Sequence, residues 1–125
     1  MANFRAPIAF RRGGVYKLDF PYIEKEGDRI KYALCLQSGS LIGEKRSKFA
    51  AALLTTKGLD RKYPWEVFLS AEESHTSEGA RVCLGEPQIV MKEWVIEHSY
   101  DLRPETMREV DKALLVSLSI SVRPA

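Results

Sequence analysis

The chain has 125 residues, 45% of them hydrophobic and 29% charged, with a formal net charge of +2. That size suits one domain with a core of its own, and the apolar share excludes a chain disordered throughout. So mild a charge leaves any nucleic-acid reading to local clusters of basic residues. Cys35 and Cys83 both sit in apolar runs; they are too few for a disulfide framework and read as buried free thiols. His75 and His98 stand apart, so no zinc-type spacing is present, and no metal or other cofactor is expected. No apolar run reaches the roughly 18 residues of a spanning helix. The N-terminus lacks a signal peptide's order, so the expected compartment is the cytoplasm, with no membrane partner.

A single domain over residues 1–125 is expected, with 1–12 a loosely ordered lead-in. VYKLDF, from Val15, is rich in β-branched and aromatic residues and reads as a strand stopped by Pro21. A polar loop follows over 22–28. Segment 29–37 (RIKYALCLQ) alternates: Ile30, Tyr32, Leu34 and Leu36 fall on one face, and Arg29, Lys31, Ala33, Cys35 and Gln37 on the other. If this is a strand, Arg29 and Lys31 emerge on the same side. Residues 38–48 read as a loop carrying Lys45, Arg46 and Lys48. FAAALLTT, 49–56, is too short for periodicity to separate strand from helix, and its paired threonines favour a strand. A second basic loop, with Lys57, Arg61 and Lys62, spans 57–63, and a strand follows Pro64 over 65–70. Residues 71–79 are polar and read as a loop. Short strands at 80–84 and 88–91 flank a turn or bulge at Gly85-Glu86-Pro87. After Trp94 the period changes. Pro104 and Glu105 mark a helix start, and Met107, Val110, Ala113, Leu114 and Ser117 keep helical spacing over roughly four turns. The tail, 118–122, is a last strand or a frayed helix end. No internal repeat and no dividing linker is present.

The stretches GGVYKLDF, KYALCLQ, AALLTT, PWEVFL, EPQIV and ETMREVDKALLVSLSI run in this order from Gly13 to Ile120. The series resembles the MazF/PemK family of toxins from type II toxin–antitoxin systems. The resemblance implies a mainly β (α+β) fold: a small curved antiparallel sheet, or a partly open SH3-like barrel, with a C-terminal helix. It also implies a homodimer that acts as an endoribonuclease on single-stranded RNA at short sequences. The implied antitoxin is acidic and winds a disordered end over the active groove. Cutting RNA needs no metal, because the 2′-OH is its own nucleophile. The protein must help one proton leave, deliver another, and offset charge on the phosphate oxygens.

The family typically places an arginine just before the second strand's apolar run and a threonine at the end of the next strand. Thr55 fills the second position and is expected to hydrogen-bond a phosphate oxygen, with Thr56, on the other face, the weaker candidate. At the first position Lys31-Tyr32 stands where the family often has Arg-Pro. Lysine keeps the charge and loses the planar fork that grips phosphate bidentately. Two readings stay open. Lys31 acts directly, as a base whose pKa Arg29 and partial desolvation would lower; or Arg29 supplies the fork. Gln88 lies where the family tends to carry a glutamine after an acidic residue, here Glu86 with Pro87 interposed, and is a candidate for a base edge or phosphate. Lys45, Arg46, Lys48, Lys57, Arg61 and Lys62 are candidates for RNA phosphates, and Tyr22, Tyr63 and Trp65 for base stacking. The plain alternatives are solvated surface charges and, for Trp65, a place in the core. Two other functions compete: a non-catalytic member of the fold that binds a protein partner, as gyrase-poisoning relatives do, and one that holds RNA without cutting it. Lys31 in place of arginine is the feature that favours them.

Overall fold

Residues 7–20 and 29–121 are described in the structure, a computed structural model in which the apolar runs form seven antiparallel strands. These are β1 (Gly14–Asp19), β2 (Ile30–Cys35), β3 (Lys48–Thr55), β4 (Glu66–Leu69), β5 (Ala80–Cys83), β6 (Gln88–Met91) and β7 (Val95–Asp101). The order across the open sheet is β4-β5-β3-β2-β1-β7, with β6 also paired to β3. β5 joins β3 at Leu54 and Thr55, and β6 joins it at 48–51, on the edge that β2 leaves free. The turn expected at Gly85-Glu86-Pro87 is the bend between these two short strands.

Among the described residues, three α-helices, α1 (Gly39–Ile42), α2 (Ala71–Ser74) and α3 (Pro104–Ser117), and a 3-10 turn at Lys92–Trp94 accompany the strands. The first two correct the loops expected over 38–48 and 71–79. Each is one turn begun by a serine: Ser38 Oγ accepts from Leu41 N–H at 3.3 Å, and Ser70 Oγ from Glu73 N–H at 3.1 Å. Such a cap satisfies a backbone donor in a segment too short to show helical periodicity. β7 is a further correction, since it fills the stretch after Trp94 where no strand is expected. Its register against β1 pairs Val15 with Tyr100 but Tyr16 with His98, then Lys17 with Glu97 but Leu18 with Val95. Ser99 and Ile96 are therefore extra residues at bulges, and two bulges erase the period-2 pattern. Residues 118–121 neither pair as a strand nor continue the helix; Leu118 N–H caps Leu114 O at 2.9 Å. The proposed loop at 22–28, Tyr22 included, and Val122 lie outside the described residues.

Both faces of the sheet are packed. On one, Val15, Leu34, Ala52 and Val82 meet Val110 and Ala113 of α3, with Met107 and Leu114 alongside, as the helical spacing predicts. On the other, Tyr16, Ala33, Cys35, Phe49 and Ala51 gather under Ile42 of α1 and under Ile8 and Phe10. Residues 7–12, expected as a loose lead-in, are tied to the sheet. Phe10 stacks on Tyr16 at 5.1 Å, Tyr16 O–H donates to Ala9 O at 2.7 Å, Arg11 pairs with Asp101 at 2.8 Å, and Arg12 pairs with Asp111. The alternation read in β2 holds, Leu34 going to the helix side and Ala33 and Cys35 to the other. Both thiols are free; Cys35 is buried and Cys83 half-buried, and burial pushes both up from the ordinary thiol value.

Helix α3 starts at Arg103, which offers no side-chain cap. Glu73 of the neighbouring serine-capped turn supplies the missing acceptor. Its carboxylate takes Arg103 N–H at 3.0 Å, Thr106 O–H at 2.8 Å and the Arg103 guanidinium at 3.2 Å. Burial alone would raise this carboxyl, but the three hydrogen bonds outweigh it and hold Glu73 below its ordinary value. An anion here also suits the positive end of the helix.

Candidate active site

Ladder register decides which polar side chains meet. β2 and β3 pair Ala33 with Leu53 and Tyr32 with Leu54, so one step further sets Lys31 beside Thr55. β3 pairs Thr55 with Arg81 of β5, which in turn faces Phe68 of β4. Residues opposite one another in an antiparallel ladder share a face. Lys31, Thr55, Arg81 and Phe68 thus form a row across four strands, roughly 14 Å long at the usual strand spacing. This face is the one that buries Ala33, Cys35 and Ala51 further along; at the row it opens to solvent.

Within the row, Thr55 Oγ1 accepts from Lys57 N–H at 3.2 Å, and its own proton has no acceptor among the described residues. Lys31 makes no hydrogen bond or ion pair among the described residues, leaving its ammonium available. Arg81 is the opposite case. Its Nη1 donates to both Glu66 oxygens at 2.6 and 2.8 Å, and its Nε to Lys57 O at 2.9 Å. These two side chains are only 14% and 10% exposed, so each needs the other to offset its lost hydration. A continuous chain of contacts therefore runs from Glu66 through Arg81 and the Lys57 peptide to Thr55, and fixes the turn that aims the hydroxyl. Gly58 in that turn is left-handed at φ +64°, a region that favours glycine, and a side chain there would also approach Arg81 Nη2.

The other candidates distribute unevenly. Arg29 pairs with Asp19 of β1, Nε to Oδ1 2.9 Å, and so has a partner where Lys31 has none among the described residues. Gln88 faces Ala51 and shares Thr55's face, but four residues back along β3, about 13 Å away. Arg61 and Lys62 lie beside the row, where they line a hollow of about 460 Å³ with Tyr63, Phe68 and Arg81. Lys57 anchors the turn through its backbone. Lys45, Arg46 and Lys48 are exposed at the far end of β3, seven residues from Thr55 or roughly 23 Å along the strand. The fold therefore does not bring the two basic loops together within one chain. Trp65 is outside the core, 39% exposed, and stacks on Tyr63 at 4.9 Å and 12°. The indole lies against Gly85, where a Cβ would come within 2.7 Å of the ring.

Thr56 borders a second hollow, of about 400 Å³, on the helix side of the sheet near Tyr32, His75 and Tyr100, and Thr55 reaches its edge. There His75 stacks on Tyr100 at 4.3 Å, and Tyr100 O–H donates to Ser74 O at 3.1 Å. Burial pushes the phenol up to about 12. This hollow holds aromatic and hydroxyl groups but not the Lys31 ammonium.

Sequence reasoning missed Arg81, Glu66 and Phe68. WEVFL and ARVCL each set a charge among the apolar residues of a short strand. That is a visible signal, but only the β4–β5 register turns it into a pair.

The sheet order and the appended helix are those of the MazF fold. An endoribonuclease from a mycobacterial species, solved in complex with its cognate antitoxin, superposes with a TM-score of 0.71 at 22% identity, covering 94% of this chain and 100% of that one. The Mycobacterium tuberculosis toxin MazF-mt6 gives 0.71 at 13% identity over 87% and 99%. MazF from Deinococcus radiodurans gives 0.68 at 19% over 91% and 100%. Likeness at these identities establishes the fold. The sequence pattern of the PemK-like, MazF-like toxins of type II toxin–antitoxin systems matches residues 11–118, and the chain belongs to that family. No curated protein matches the sequence significantly.

Proposed function

We propose that this toxin is a metal-independent endoribonuclease that cuts single-stranded RNA at short sequences and leaves 2′,3′-cyclic phosphate ends. One observation carries the reading: the β2–β3 register sets Lys31 beside Thr55 on an open part of the sheet, and among the described residues neither the ammonium nor the hydroxyl proton has an acceptor. In the reaction the 2′-oxygen attacks phosphorus and loses its proton, while the 5′-oxygen leaves and gains one. Lys31 offsets charge on the phosphate oxygens, and its ammonium is the row's proton donor to the departing 5′-oxygen. Thr55 donates its hydrogen bond to a non-bridging oxygen. Arg81 holds the Thr55 turn. Arg61 and Lys62 supply phosphate contacts along the strand. Gln88 sits further along the same face, where it would meet a nucleotide away from the cut.

Exposed apolar residues at and just past the end of α3, Val116, Leu118 and Ile120 at 50%, 57% and 51%, support a homodimer, since such a cluster gains by being covered. The cations near the row suit an acidic antitoxin segment as well as RNA, and the mycobacterial neighbour is bound to its antitoxin.

The test is a comparison of Lys31→Ala, Thr55→Ala and Arg29→Ala in RNA cleavage. The first two lower cutting by about 10²–10³ with melting unchanged; full cutting by both would remove the site assignment. A larger loss in Arg29→Ala than in Lys31→Ala would hand the cation's role to Arg29. A second reading, RNA binding without cleavage, is favoured by one fact: the row's guanidinium is held by Glu66 rather than offered as a fork. On that reading Lys31→Arg creates cutting that the natural chain lacks.

A further inference from the structure

The row continues past the reacting pair to Phe68. Its neighbours on β4, Val67 and Leu69, are buried at 8% and 0%, yet Phe68 is 56% exposed. Its ring nonetheless has backbone packed close beneath it. Gly79, at φ +106°, lies so close that a Cβ there would come within 2.8 Å of Phe68 Cζ and 2.5 Å of Leu69 O. Beside the ring, the hollow of about 460 Å³ is lined by Arg61, Lys62 and Arg81 against one carboxylate, Glu66. That carboxylate is already taken up by Arg81. Arg81 Nη2 has no acceptor among the described residues. The place thus combines an exposed aromatic ring backed by the Gly79 backbone with a surplus of cations, the pairing that single-stranded nucleic acid requires. Phe68 stands two strand steps from Thr55, about 10 Å, within reach of a neighbouring nucleotide of a splayed strand.

We propose that this hollow is a nucleotide subsite, in which the base next to the phosphate at Thr55 stacks on Phe68 while Lys62 and Arg81 Nη2 take the adjoining phosphate. The assignment rests on RNA being the substrate. Tyr63 and Trp65 are poorer stacking partners, because each already spends one ring face on the other.

A fluorescent pool of single-stranded 2′-fluoro RNA, which lacks the attacking hydroxyl, measures binding apart from cleavage. Wild type binds the pool. Phe68→Ala weakens it about tenfold, the loss of one base stack, while Phe68→Trp restores it. With cleavable RNA, Phe68→Ala raises KM and leaves kcat near wild type. A strand of equal charge carrying abasic sites binds wild type and Phe68→Ala alike. Equal pool affinity for wild type and Phe68→Ala, at equal melting temperature, overturns the subsite and leaves the nuclease reading standing. Abasic and base-bearing strands binding wild type equally well also overturns it, reducing the hollow to an electrostatic patch. A wild type that neither binds the pool nor cuts RNA overturns both readings, and selective capture of an acidic peptide would then assign the hollow to a protein.

Discussion

At one end of β2 and β3, Ala33, Cys35, Phe49 and Ala51 are buried beneath α1 and the N-terminal segment; at the other end of the same strands, on the same face, Lys31 and Thr55 meet solvent. The backbone period is unbroken between the two ends, and only side-chain chemistry and cover change. The buried end therefore sets the aim of the open one. A slip of one residue would carry Phe49 and Ala51 out of the core, which fixes the register firmly, and would turn Thr55 to the opposite face. Packing and the proposed site are coupled through register, with no contact between the two ends needed.

The sharpest way to break this comparison is to alter the open end alone. Lys31→Ala and Thr55→Ala should each lower the cleavage rate by about 10²–10³, the usual cost of one charge-stabilising donor, with a thermal melt that matches wild type. A joint fall in melting temperature would show that the row is structural. The reverse experiment is Phe49→Ala, which should cost about 3–5 kcal/mol in denaturant unfolding. Cleavage per folded molecule should persist well below the melting point; loss of activity in the folded protein would contradict the division between the ends.

Arg81→Ala tests the link between the two. Breaking a pair this well enclosed should cost about 3 kcal/mol of stability, and the loosened Lys57 turn should reduce kcat more than it raises KM. Acid should act on the scaffold rather than on the row. Glu73 has a folded pKa below its ordinary 4.5. The stability it contributes is thus full above that value and is lost as pH falls through the range beneath it. Melting temperature should drop below pH 4.5, and Glu73→Gln should flatten that drop. The smallest effect belongs to the far basic loop: Lys45→Ala with Arg46→Ala should leave cleavage within about twofold at physiological salt, since charges this distant are screened. A larger loss would place RNA along the whole of β3 or across a second chain.

The alternation of RIKYALCLQ already placed Lys31 with Ala33 and Cys35, because both ends of β2 obey one period. Thr55 was legible only through the resemblance, as nothing in AALLTT marks one threonine over the other. The rest escaped for physical reasons. The row's other half depends on β3 meeting β5, a contact between distant segments that no local pattern encodes. Bulges at Ser99 and Ile96 hid β7, and single serine caps hid the two short helices. Trp65 was a reasonable core candidate from its size, but the Gly85 backbone and Tyr63 hold it at the surface. The two basic loops looked equivalent in composition; the length of β3 separates them.

The most direct measurement incubates the purified toxin, free of any antitoxin, with a long single-stranded RNA in excess chelator and maps the ends. The account predicts discrete cuts with 2′,3′-cyclic phosphate termini that vanish in Lys31→Ala and Thr55→Ala. Intact RNA from a folded wild type, across diverse sequences, would contradict it.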